Sequence, residues 1–571
     1  MQSWFDRSRG IVRQFERAGV WPGVVRAFLP IALSIPLSCQ SAISTWMRWE
    51  QSLTSTRHYA NPYSIELKLT CTGPNHKTIH GLGFWDGGNV FKIRCLFPEP
   101  GRWTWSTACS DTNNPGLHQR RGAVEVAPYS GSNRLYRHGL LRVSRNRRFL
   151  TYADGTPFLW IGDTPWAAPM NARMEDWRSY IRDRREKRFT VLQIFCASRW
   201  AGTKDVNGEP PFLDDGLSQP NPAYWRQYEQ KVELANERGL VVLIVGLMEP
   251  VNRYPDAVSA QAFARYLAAR LMGNFVVFSP SFDSPYLDLG NAVGKAIREA
   301  TALHLITQHP SGMDAPQRYY DEPYLDFCGV QTGAGWGGNP LSAEIAARHA
   351  IECSLTLYNH SPHKPVINLE SRYDSAFNQK QMPRLPRSCG YWSFLSGCAG
   401  YSYGCAGLFN WELTGSQGDP QATPWDWHFA MDRATSTEMK HMSDFFSRLD
   451  WWRLEPQQGW ILNQSKDWTR RMVGARSAAG DLAVAYLPDN GAITLEMTGF
   501  QAAMRWRWFN PKTGEAVDGE GPVRPVENKT FTRPAGWEDA LLVLRNVTDP
   551  PPPDPTGGQP GSPSRGQRAF P

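Results

Sequence analysis

Residues 46–128 alternate polar and apolar side chains in short runs. The alternation is clearest over residues 64–70 and 90–97, and a period of two is typical of a strand with one buried face. Clusters of glycine, proline and aspartate at residues 81–88 and 98–101 separate these runs and predict turns. Short strands at this spacing predict an N-terminal β-sandwich over residues 46–128.

From about residue 135 the pattern changes to short apolar runs that alternate with helical stretches. The apolar runs predict strands at residues 158–161, 190–195, 240–245, 275–278, 303–307, 327–331, 366–369 and 400–403. Helices are predicted at residues 174–185, 341–358 and 388–398, and another begins at Asn221-Pro222, a cap followed by proline. Eight strands with intervening helices predict a (β/α)8 TIM barrel over residues 135–452.

One structural alternative to the barrel is a doubly wound open sheet. The run at residues 303–307 is the least regular of the eight, so the strand count is not forced. However, no GxGxxG motif follows the first strand, as a dinucleotide-binding open sheet would require.

The last part of the chain returns to strand patterns. Residues 482–487, 505–509 and 541–544 are apolar or alternating, and residues 510–514 predict a turn. These features predict a C-terminal β-sandwich over residues 457–547. Residues 548–571 are rich in proline, glycine and serine and are predicted to form a disordered tail. The predicted fold class is therefore multidomain, a central barrel flanked by two sandwiches.

The first 45 residues resemble a targeting segment. Several arginines precede an apolar run at residues 27–37, and small residues follow it, which is the order of an export signal. Cys39 is a weak candidate for a lipid anchor, because Pro36 stands where leucine is usual. The run is too short to span a bilayer, and no later stretch predicts a transmembrane segment. We expect an exported protein, at the cell surface, in the periplasm or outside the cell; a cytoplasmic protein with a disordered leader is the alternative.

Composition excludes some classes of partner. The net charge of +7 over 571 residues is small, and no long basic cluster is interleaved with aromatic residues, so nucleic-acid binding is not expected. The 24 tryptophans are unusually many. Their rings could stack on sugars or fill the cores of the sandwiches.

The ten cysteines form no CxxC pair and no zinc-ligand pattern, so we expect no metal and no cofactor. Cys71, Cys95 and Cys109 share the N-terminal sandwich, where one disulfide could form. The cysteines in apolar segments are expected to be free thiols: Cys196, Cys328, Cys398 and Cys405.

Two predicted strands are followed by carboxylates. The run PVINLE ends on Glu370, and NFVVFSPSFD places Asp283 shortly after its strand. Parallel barrels carry their chemistry at the carboxyl ends of strands. Two carboxylates that converge from different strands are what cleavage of a glycosidic bond requires.

At this point the chain resembles the apiosidase-like (β/α)8 glycoside hydrolases, bacterial enzymes that trim branched plant polysaccharides. The similarity rests on DGTPFLWIGDTPW at residues 154–166, TQHP at 307–310, KPVINLE at 364–370 and GCAGYSYG at 397–404. GFWDG at 83–87 and PGRW at 100–103 resemble the sandwich that often precedes such a barrel. YLP at 486–488 and WFNPKTG at 508–514 resemble a following module labelled collagen-binding, a label that carries little weight as a function. The resemblance covers residues 46–547.

The resemblance implies roles for the two carboxylates. The family's acid/base is an aspartate after strand four and its second carboxylate is a glutamate that ends strand seven, which correspond to Asp283 and Glu370. We expect Glu370 to be the nucleophile of a retaining mechanism, with carboxyl groups about 5–5.5 Å apart rather than the roughly 6.5–9.5 Å of inverting enzymes. The family usually has Gly-Gly before this aspartate, whereas this chain has Ser281-Phe282, which places the substrate and even activity in question.

Other residues at strand ends are candidates for binding the carbohydrate substrate. Asp163 and Trp166 follow the first strand and suit a contact with a sugar hydroxyl and a stacking platform, although Asp163 could instead cap the next segment. His309 could bind a hydroxyl or the nucleophile, or be structural. The remaining candidates on the rim are Gln331, Tyr373 and Trp411. Glu249, at the end of the third strand, is the alternative carboxylate to Asp283.

Three functions compete on these observations. The first is a glycoside hydrolase that acts on a plant-type polysaccharide or oligosaccharide. The second is a catalytically inactive carbohydrate- or matrix-binding protein, favoured by Ser281-Phe282, the two sandwiches and the many tryptophans. A protease has little support, since the sequence contains neither an HExxH nor a GxSxG motif.

Overall fold

The computed structural model describes residues 43–197, 204–214, 218–248, 256–283, 286–310, 318–333, 341–374, 383–411 and 426–547. Most of the predicted export segment, with Cys39, lies outside these ranges. Glu249 and the predicted tail at residues 548–571 lie outside them as well.

The N-terminal region, residues 43–127, contains two sheets. Its strands are β1 (Ile43–Ser44), β2 (Arg48–Thr54), β3 (Leu67–Thr72), β4 (Thr78–Leu82), β5 (Phe84–Trp85), β6 (Val90–Leu96), β7 (Gly101–Cys109) and β8 (Arg121–Ala127). One sheet has the order β1-β8-β7-β3-β4 and the other β2-β6-β5. Leu67, Leu69 and Cys71 of β3 point into a hydrophobic cluster to which both sheets contribute, as the alternation predicts.

The disulfide considered possible in this region does not form among the described cysteines. Cys71, Cys95 and Cys109 are buried free thiols. Cys196, Cys328, Cys398 and Cys405 are also buried and free, which confirms the prediction made for these four.

The central region, residues 134–447, begins with a small antiparallel sheet and continues with parallel strands. The small sheet consists of β9 (Leu141–Val143), β10 (Leu150–Tyr152) and β11 (Pro157–Phe158). The parallel strands are β12 (Trp160–Asp163), β13 (Val191–Phe195), β14 (Val241–Val245), β15 (Val276–Phe278), β16 (Cys328–Gln331), β17 (Val366–Glu370) and β18 (Gly400–Tyr403).

Helices separate most of these parallel strands. They are α1 (Arg134–His138), α2 (Ala168–Asn171), α3 (Met174–Glu186), α4 (Pro222–Glu237), α5 (Ala257–Leu271), α6 (Leu287–Ala300), α7 (Ala343–Tyr358), α8 (Leu385–Leu395), α9 (Trp427–Met431) and α10 (Ala434–Ser447). The side chain of Asn221 caps α4, and Pro222 follows it at the first helical position, as predicted.

The parallel strands form one sheet in the order β15-β14-β13-β12-β18-β17-β16. This is the cyclic order of (β/α)8 strands one to four and six to eight. The predicted strand at residues 303–307 is not a strand in the structure; Ile306 makes only an isolated parallel bridge with Phe278. On its other side, the amide of Ile306 donates to the side chain of Asp326. A side chain cannot continue the backbone hydrogen-bond ladder of a β-sheet.

The C-terminal region, residues 454–546, is again built from strands. They are β19 (Leu454–Pro456), β20 (Val473–Ser477), β21 (Leu482–Leu487), β22 (Ala492–Leu495), β23 (Met504–Phe509), β24 (Ala516–Asp518), β25 (Lys529–Thr532) and β26 (Ala540–Asn546). One sheet has the order β19-β20-β21-β26-β23-β24, and β22 pairs with β25. Both contribute to a shared hydrophobic cluster.

Buried ion pairs join the N-terminal region to the central region. Arg94 of β6 donates to both carboxylate oxygens of Glu229 of α4, each at 2.9 Å. Arg270 of α5 contacts Glu229 at 2.7 Å and Asp86 at 2.6 Å. All four side chains are buried, so the charges of the two regions compensate each other away from water.

A second set of buried charges joins the C-terminal region to the central region. Arg387 of α8 donates to Asp539 at 3.0 and 2.9 Å and contacts Glu438 of α10 at 3.0 Å. Tyr486 of β21 donates to Asp539 at 2.8 Å and lies 2.7 Å from the hydroxyl of Ser388. The C-terminal region is therefore fixed to helices of the central region by buried polar contacts.

The structure confirms a multidomain chain with a parallel sheet between two β-rich regions. Among the described residues, no helix combines the length and apolar character that crossing a membrane would require.

Candidate active site

The carboxyl ends of the parallel strands all lie on the same side of the sheet, and four candidate side chains meet there. Gln331 ends β16 and Glu370 ends β17, while Asp283 follows β15. His309 follows the segment that bridges to Phe278. The parallel direction of these strands places the four side chains at the same edge, as the sequence predicts for the two carboxylates.

A bulge at the end of β17 brings Glu370 next to Gln331. Val330 pairs with Asn368, but the next residue of β16, Gln331, pairs with Glu370, so the register shifts by one residue. The extra residue is Leu369, and its carbonyl accepts a hydrogen bond of 2.6 Å from the buried side chain of Gln193. Bulges commonly redirect side chains at active sites. Here the bulge aligns Glu370 with a polar neighbour.

Asp283 adopts a left-handed backbone conformation, with φ of 51°. Aspartate tolerates this conformation better than most residues, since its short polar side chain can bond locally. The amide of Asp283 donates to the carbonyl of His309 at 3.2 Å, and Phe282 forms an isolated bridge with His309. This pairing holds the turn that directs the carboxylate of Asp283 toward Glu370.

His309 and Gln331 both lie between the two carboxylates. Nδ1 of His309 is 3.3 Å from Asp283 and Nε2 is 3.3 Å from Glu370. The amide nitrogen of Gln331 donates to Glu370 at 2.8 Å and to Asp283 at 3.3 Å. One carboxylate oxygen of each acid and one nitrogen of His309 all lie within 4.8 Å of one another.

The two histidine contacts are close approaches rather than aligned hydrogen bonds. Neither ring nitrogen of His309 meets hydrogen-bond geometry in the unliganded chain. Catalytic hydrogen bonds are often long or misaligned before substrate binds. The contacts therefore fit a site whose polar groups align further when a substrate enters.

The two carboxylates differ in their access to solvent. The side chain of Asp283 is 29% exposed and that of Glu370 is 11% exposed, whereas that of His309 is fully buried. An outer carboxylate can exchange protons with a leaving group and with water. An inner carboxylate is suited to direct contact with the reacting carbon.

Burial and, after it, the nearby charge of Asp283 raise the pKa of Glu370 from its usual 4.5 to about 7. His309, Tyr373 and Gln331 oppose this rise. For His309, burial lowers the pKa of the imidazole, but Asp283 and Glu370 more than offset this, so its pKa is raised. Perturbed groups that cluster in this way are typical of functional sites.

Tyr373 and Trp166 support Glu370 from behind. The hydroxyl of Tyr373 lies beside the carboxylate of Glu370, whose pKa it lowers, and accepts a hydrogen bond of 2.5 Å from the indole of Trp166. Trp166 is only 2% exposed, and its ring contacts Phe195 and Phe282. The predicted role of Trp166 as a stacking platform is corrected, since a buried ring presents no face to a sugar.

The ring of Phe282 packs to the side of the carboxylates. Its centroid lies 4.7 Å from that of Phe195, 5.0 Å from that of Trp166 and 4.6 Å from that of His309. Phe282 is half-buried in this aromatic group. Its presence before Asp283 is therefore compatible with a close approach of Asp283 to Glu370.

Asp163 is part of a buried structural network. Its Oδ2 accepts hydrogen bonds from Tyr180 at 2.5 Å and from Arg184, and its Oδ1 accepts one from the amide of Thr164 at 2.9 Å. Asp163 is fully buried. The predicted sugar contact of Asp163 is therefore corrected to a structural role, because both of its carboxylate oxygens already accept hydrogen bonds within the protein.

Trp411 lies in an aromatic group with the helix that follows β12. Its ring stacks on Trp427 at 4.3 Å and contacts Tyr180 edge-on at 5.4 Å. Trp411 is 3% exposed. The predicted position of Trp411 on the rim is therefore corrected to one in the core.

Asp283, His309 and Glu370 also satisfy the composition of a metal site, each offering one ligand atom. However, His309 faces the two acids with different ring nitrogens. One ion could use only one of these nitrogens, so the contact of the other nitrogen with its acid would play no part in binding the ion. The observed orientation fits an imidazole that bridges two acids better than one that shares an ion with them.

One contributor was not among the sequence candidates. Gln193 holds the bulge that aligns Glu370, although it lies within β13 rather than at its end. The available signal is its polarity inside the apolar run VLQIF. A buried amide in such a strand needs a partner, and here that partner is a carbonyl at the active edge of the sheet.

Comparison with known protein families gives three matches. A family described as "Apiosidase-like, catalytic domain" matches residues 144–453. A domain of unknown function matches residues 42–110, and a domain provisionally described as the collagen-binding domain of a collagenase matches residues 456–545. Among curated proteins, none matches this chain.

Solved structures resemble most of the chain in fold. One, titled glycoside hydrolase, has a TM-score of 0.65 at 20% identity and covers 72% of this chain and 98% of its own. A glycoside hydrolase family 5 protein from Bacteroides vulgatus ATCC 8482 has a TM-score of 0.65 at 20% identity, covering 72% and 94%. A third, from the same strain and provisionally described as a glycoside hydrolase, has a TM-score of 0.68 at 15% identity, covering 89% and 100%. At these identities the likeness concerns the fold.

Proposed function

Because this chain belongs to the apiosidase-like family and is a glycosidase, we propose that it cleaves a glycosidic bond in a plant-type polysaccharide or oligosaccharide with retention of configuration. The nucleophile is Glu370 and the acid/base is Asp283. The observation that carries the proposal is the approach of one oxygen of each carboxylate to within 4.8 Å. This favours the short separation of retaining enzymes, about 5–5.5 Å, over the roughly 6.5–9.5 Å of inverting enzymes.

The first step forms a covalent intermediate. Asp283 donates its proton to the glycosidic oxygen while the carboxylate of Glu370 attacks the anomeric carbon. The carbon–oxygen bond to the leaving group breaks, and an ester bond between the sugar and Glu370 forms. In the second step Asp283, now ionised, removes a proton from water, and the resulting attack releases the sugar and regenerates Glu370.

The neighbouring residues prepare Glu370 for attack. Tyr373 and Gln331 hydrogen-bond to its carboxylate and favour the ionised form. Buried His309, with its raised pKa, brings positive charge between the two acids when protonated. These contacts oppose the burial and repulsion that would otherwise keep Glu370 protonated.

We also propose the finer architecture of the fold. Residues 303–309 occupy the position of a fifth strand and complete a (β/α)8 barrel, with β-sandwiches at residues 46–128 and 457–547 on either side of residues 135–452. Two parallel bridges support this, Phe278 to Ile306 and Phe282 to His309, as does the hydrogen bond from Thr307 to the carbonyl of Phe327. Export, directed by the first 45 residues, belongs to the same proposal.

The second candidate is a binding protein without turnover. It is favoured by Ser281-Phe282, which replaces the two glycines usual before the acid/base of the resembled family. The packing of Phe282 against Phe195 and His309 gives the bulky residue a place beside the carboxylates. Because Phe282 packs beside the carboxylates rather than between them, it leaves room for a substrate, and we therefore favour the hydrolase over the binding protein.

The test is a screen of plant polysaccharides and aryl glycosides, followed by azide rescue of variants in which either acid is replaced by glycine or alanine. With Glu370→Gly, azide should restore turnover and give a glycosyl azide of inverted configuration. With Asp283→Ala, azide should give a product of retained configuration, because the glycosyl-enzyme still forms. Without azide, either change should lower kcat at least roughly 10³-fold.

Conservative variants serve as controls. Glu370→Gln and Asp283→Asn keep the shape of each side chain and should fold and bind the sugar with turnover largely lost. A chelator should leave the rate of the wild-type chain unchanged. Full turnover in Glu370→Gln would contradict the assignment, and binding without turnover in the wild-type chain on every glycan would favour the second candidate.

A further inference from the structure

The many tryptophans of this chain are mostly core residues. Among the described tryptophans, the half-buried ones are Trp85, Trp452, Trp468, Trp506 and Trp537, and the others are buried. Most of the surplus noted in the sequence is thus explained by packing. The half-buried rings are the ones whose surroundings can reveal a binding role.

Protein groups contact the rings of most of these half-buried tryptophans. Arg348 and Arg471 both lie over the ring of Trp468, and Trp506 contacts Trp508 and Phe531. Trp85 and Trp537 pack against the clusters of their own regions.

Trp452 also packs against a hydrophobic cluster, that of the central region. Its one aromatic contact among the described residues is edge-on with Trp451, at 6.2 Å and 83°. Trp452 lines a cavity of about 380 Å³ where the central region meets the C-terminal region. We call this cavity the junction groove. Cavities of this size at the junction of two regions are frequent ligand sites.

The lining of the junction groove combines rings with polar groups. Tyr358, Arg148 and Asn146 come from the central region, and Glu455 and Ala479 from the C-terminal region. The guanidinium of Arg148 lies 3.8 Å above the ring of Tyr358, and the third ring of the lining, Phe149, packs edge-on against Trp451. Trp452 is the largest ring of the lining and the one we assign to stacking. An indole beside hydrogen-bonding groups suits a ligand with apolar ring faces and hydroxyl edges, and sugars have that character.

The charges around the junction groove compensate one another. Arg453 contacts Asp481 at 2.5 Å, and the lining contributes one further cation, Arg148, and one further anion, Glu455. An anionic ligand would therefore meet no excess of positive charge. The balance favours an uncharged sugar.

The junction groove lies at the opposite end of the parallel strands from the two carboxylates. Tyr358 ends α7, which leads into the start of β17, whereas Glu370 lies at the end of that strand. Arg148 belongs to the turn between β9 and β10, which precede β12. A glycan could therefore occupy the groove without obstructing the catalytic end of the sheet.

We propose that the junction groove is a second, non-catalytic site that binds an uncharged glycan chain, with Trp452 as its stacking platform. Such a site would hold the enzyme on its polymeric substrate while other parts of that polymer reach the carboxylates. It requires that the chain meets polymeric glycans, but not that Asp283 and Glu370 have the roles assigned above.

The test is native gel electrophoresis of the full chain with xyloglucan, galactan or polygalacturonate in the gel. We expect xyloglucan or galactan to retard the wild-type chain, and Trp452→Ala to weaken binding roughly tenfold, the loss of one stacking contact. Trp452→Tyr should restore part of the affinity. Ala479→Arg should block the groove from its exposed side without removing a packed side chain.

Trp468→Ala is the matched control, since it removes another half-buried ring away from the groove and should leave retardation unchanged. Equal retardation of the wild-type, Trp452→Ala and Ala479→Arg chains would overturn the proposal, and so would retardation by polygalacturonate alone or by none of the glycans. Retardation that depends on Trp452 in a chain that hydrolyses none of them would support the groove while contradicting the proposed function.

Discussion

Glu370 can act as a nucleophile only after it loses its proton. Its pKa of about 7, raised mainly by burial and then by Asp283, means that the carboxyl is largely protonated below neutral pH. The ionised fraction grows as pH rises through 7. Under the proposed mechanism, kcat/KM should therefore fall on the acidic side of about pH 7, unlike that of an enzyme whose nucleophile has an ordinary pKa near 4.5.

Tyr373→Phe tests this account of the acidic limb. The hydroxyl of Tyr373 bonds to Glu370 and lowers its pKa, so its removal should move the acidic limb of kcat/KM to higher pH and reduce activity most at low pH. The measurement is kcat/KM from pH 5 to pH 9. Asp432→Asn, a change at an 84% exposed carboxylate, should leave the profile unchanged. A profile of Tyr373→Phe that coincides with wild type would contradict the role of the hydroxyl.

At the residue scale, strand ends were predictable and side-chain partners were not. Asp283 and Glu370 follow apolar runs, and parallel strands bring such positions together. Asp163 also lies at the end of an apolar run, but Tyr180 and Arg184 donate hydrogen bonds to its carboxylate. These partners lie 17 and 21 residues further along the chain, on α3. Which side of α3 faces Asp163 is fixed only by tertiary packing, so periodicity could not reveal the contact.

At the element scale, the network of Asp163 ties β12 to α3. Removing one partner of a fully buried ion pair costs stability, because the remaining charge is not solvated by water. The same burial separates this network from any sugar. Asp163 should therefore affect stability without affecting substrate affinity in the chains that remain folded.

Asp163→Asn distinguishes the two roles. We expect a loss of stability of up to about 3–5 kcal/mol, since buried Arg184 keeps only its ion pair with Asp183, while KM of the remaining folded enzyme stays near wild type. Thermal unfolding and initial rates provide the two readouts. Asp432→Asn, which lies near the same helix but is exposed, should change neither. A large rise in KM with an unchanged unfolding midpoint would instead support the sugar contact predicted for Asp163 from the sequence.

Element boundaries followed the apolar pattern, whereas ladder details did not. β18 and β21 have the predicted bounds, because their apolar runs end at turn residues. The bulge at Leu369 depends on how β17 pairs with β16 and on the hydrogen bond from Gln193, neither of which is local. The segment at residues 303–307 contains apolar residues, but its neighbours bond to it largely through side chains.

At the scale of the whole molecule, buried charges hold the three regions together. Arg387 and Asp539 lie far apart in the sequence and each looks like an ordinary surface residue there. In the structure both are buried at the junction of α8 with the C-terminal region. Composition and periodicity indicate which segments fold as regions, but they contain no information on which charges meet between regions.

Arg387→Ala should weaken this junction. It leaves Asp539 and Glu438 buried without their cation, so we expect a loss of about 3–5 kcal/mol and a lower thermal midpoint. Arg507→Ala is the matched control, because Arg507 pairs with Asp518, whose side chain is 70% exposed, and such pairs contribute about 0–1 kcal/mol. Similar midpoints for the two variants would contradict the importance of the buried junction.

The buried charges at both junctions also restrict how this architecture can be recombined. A C-terminal region moved to another barrel would carry Asp539 into a surface without a matching guanidinium. An N-terminal region would carry Arg94 to a surface without Glu229 and keep only its partner Glu50. Either graft would begin with a charge that must be desolvated after losing a partner from the central region. The β-rich regions are thus not interchangeable attachments; each is inherited together with the helix faces that neutralise it.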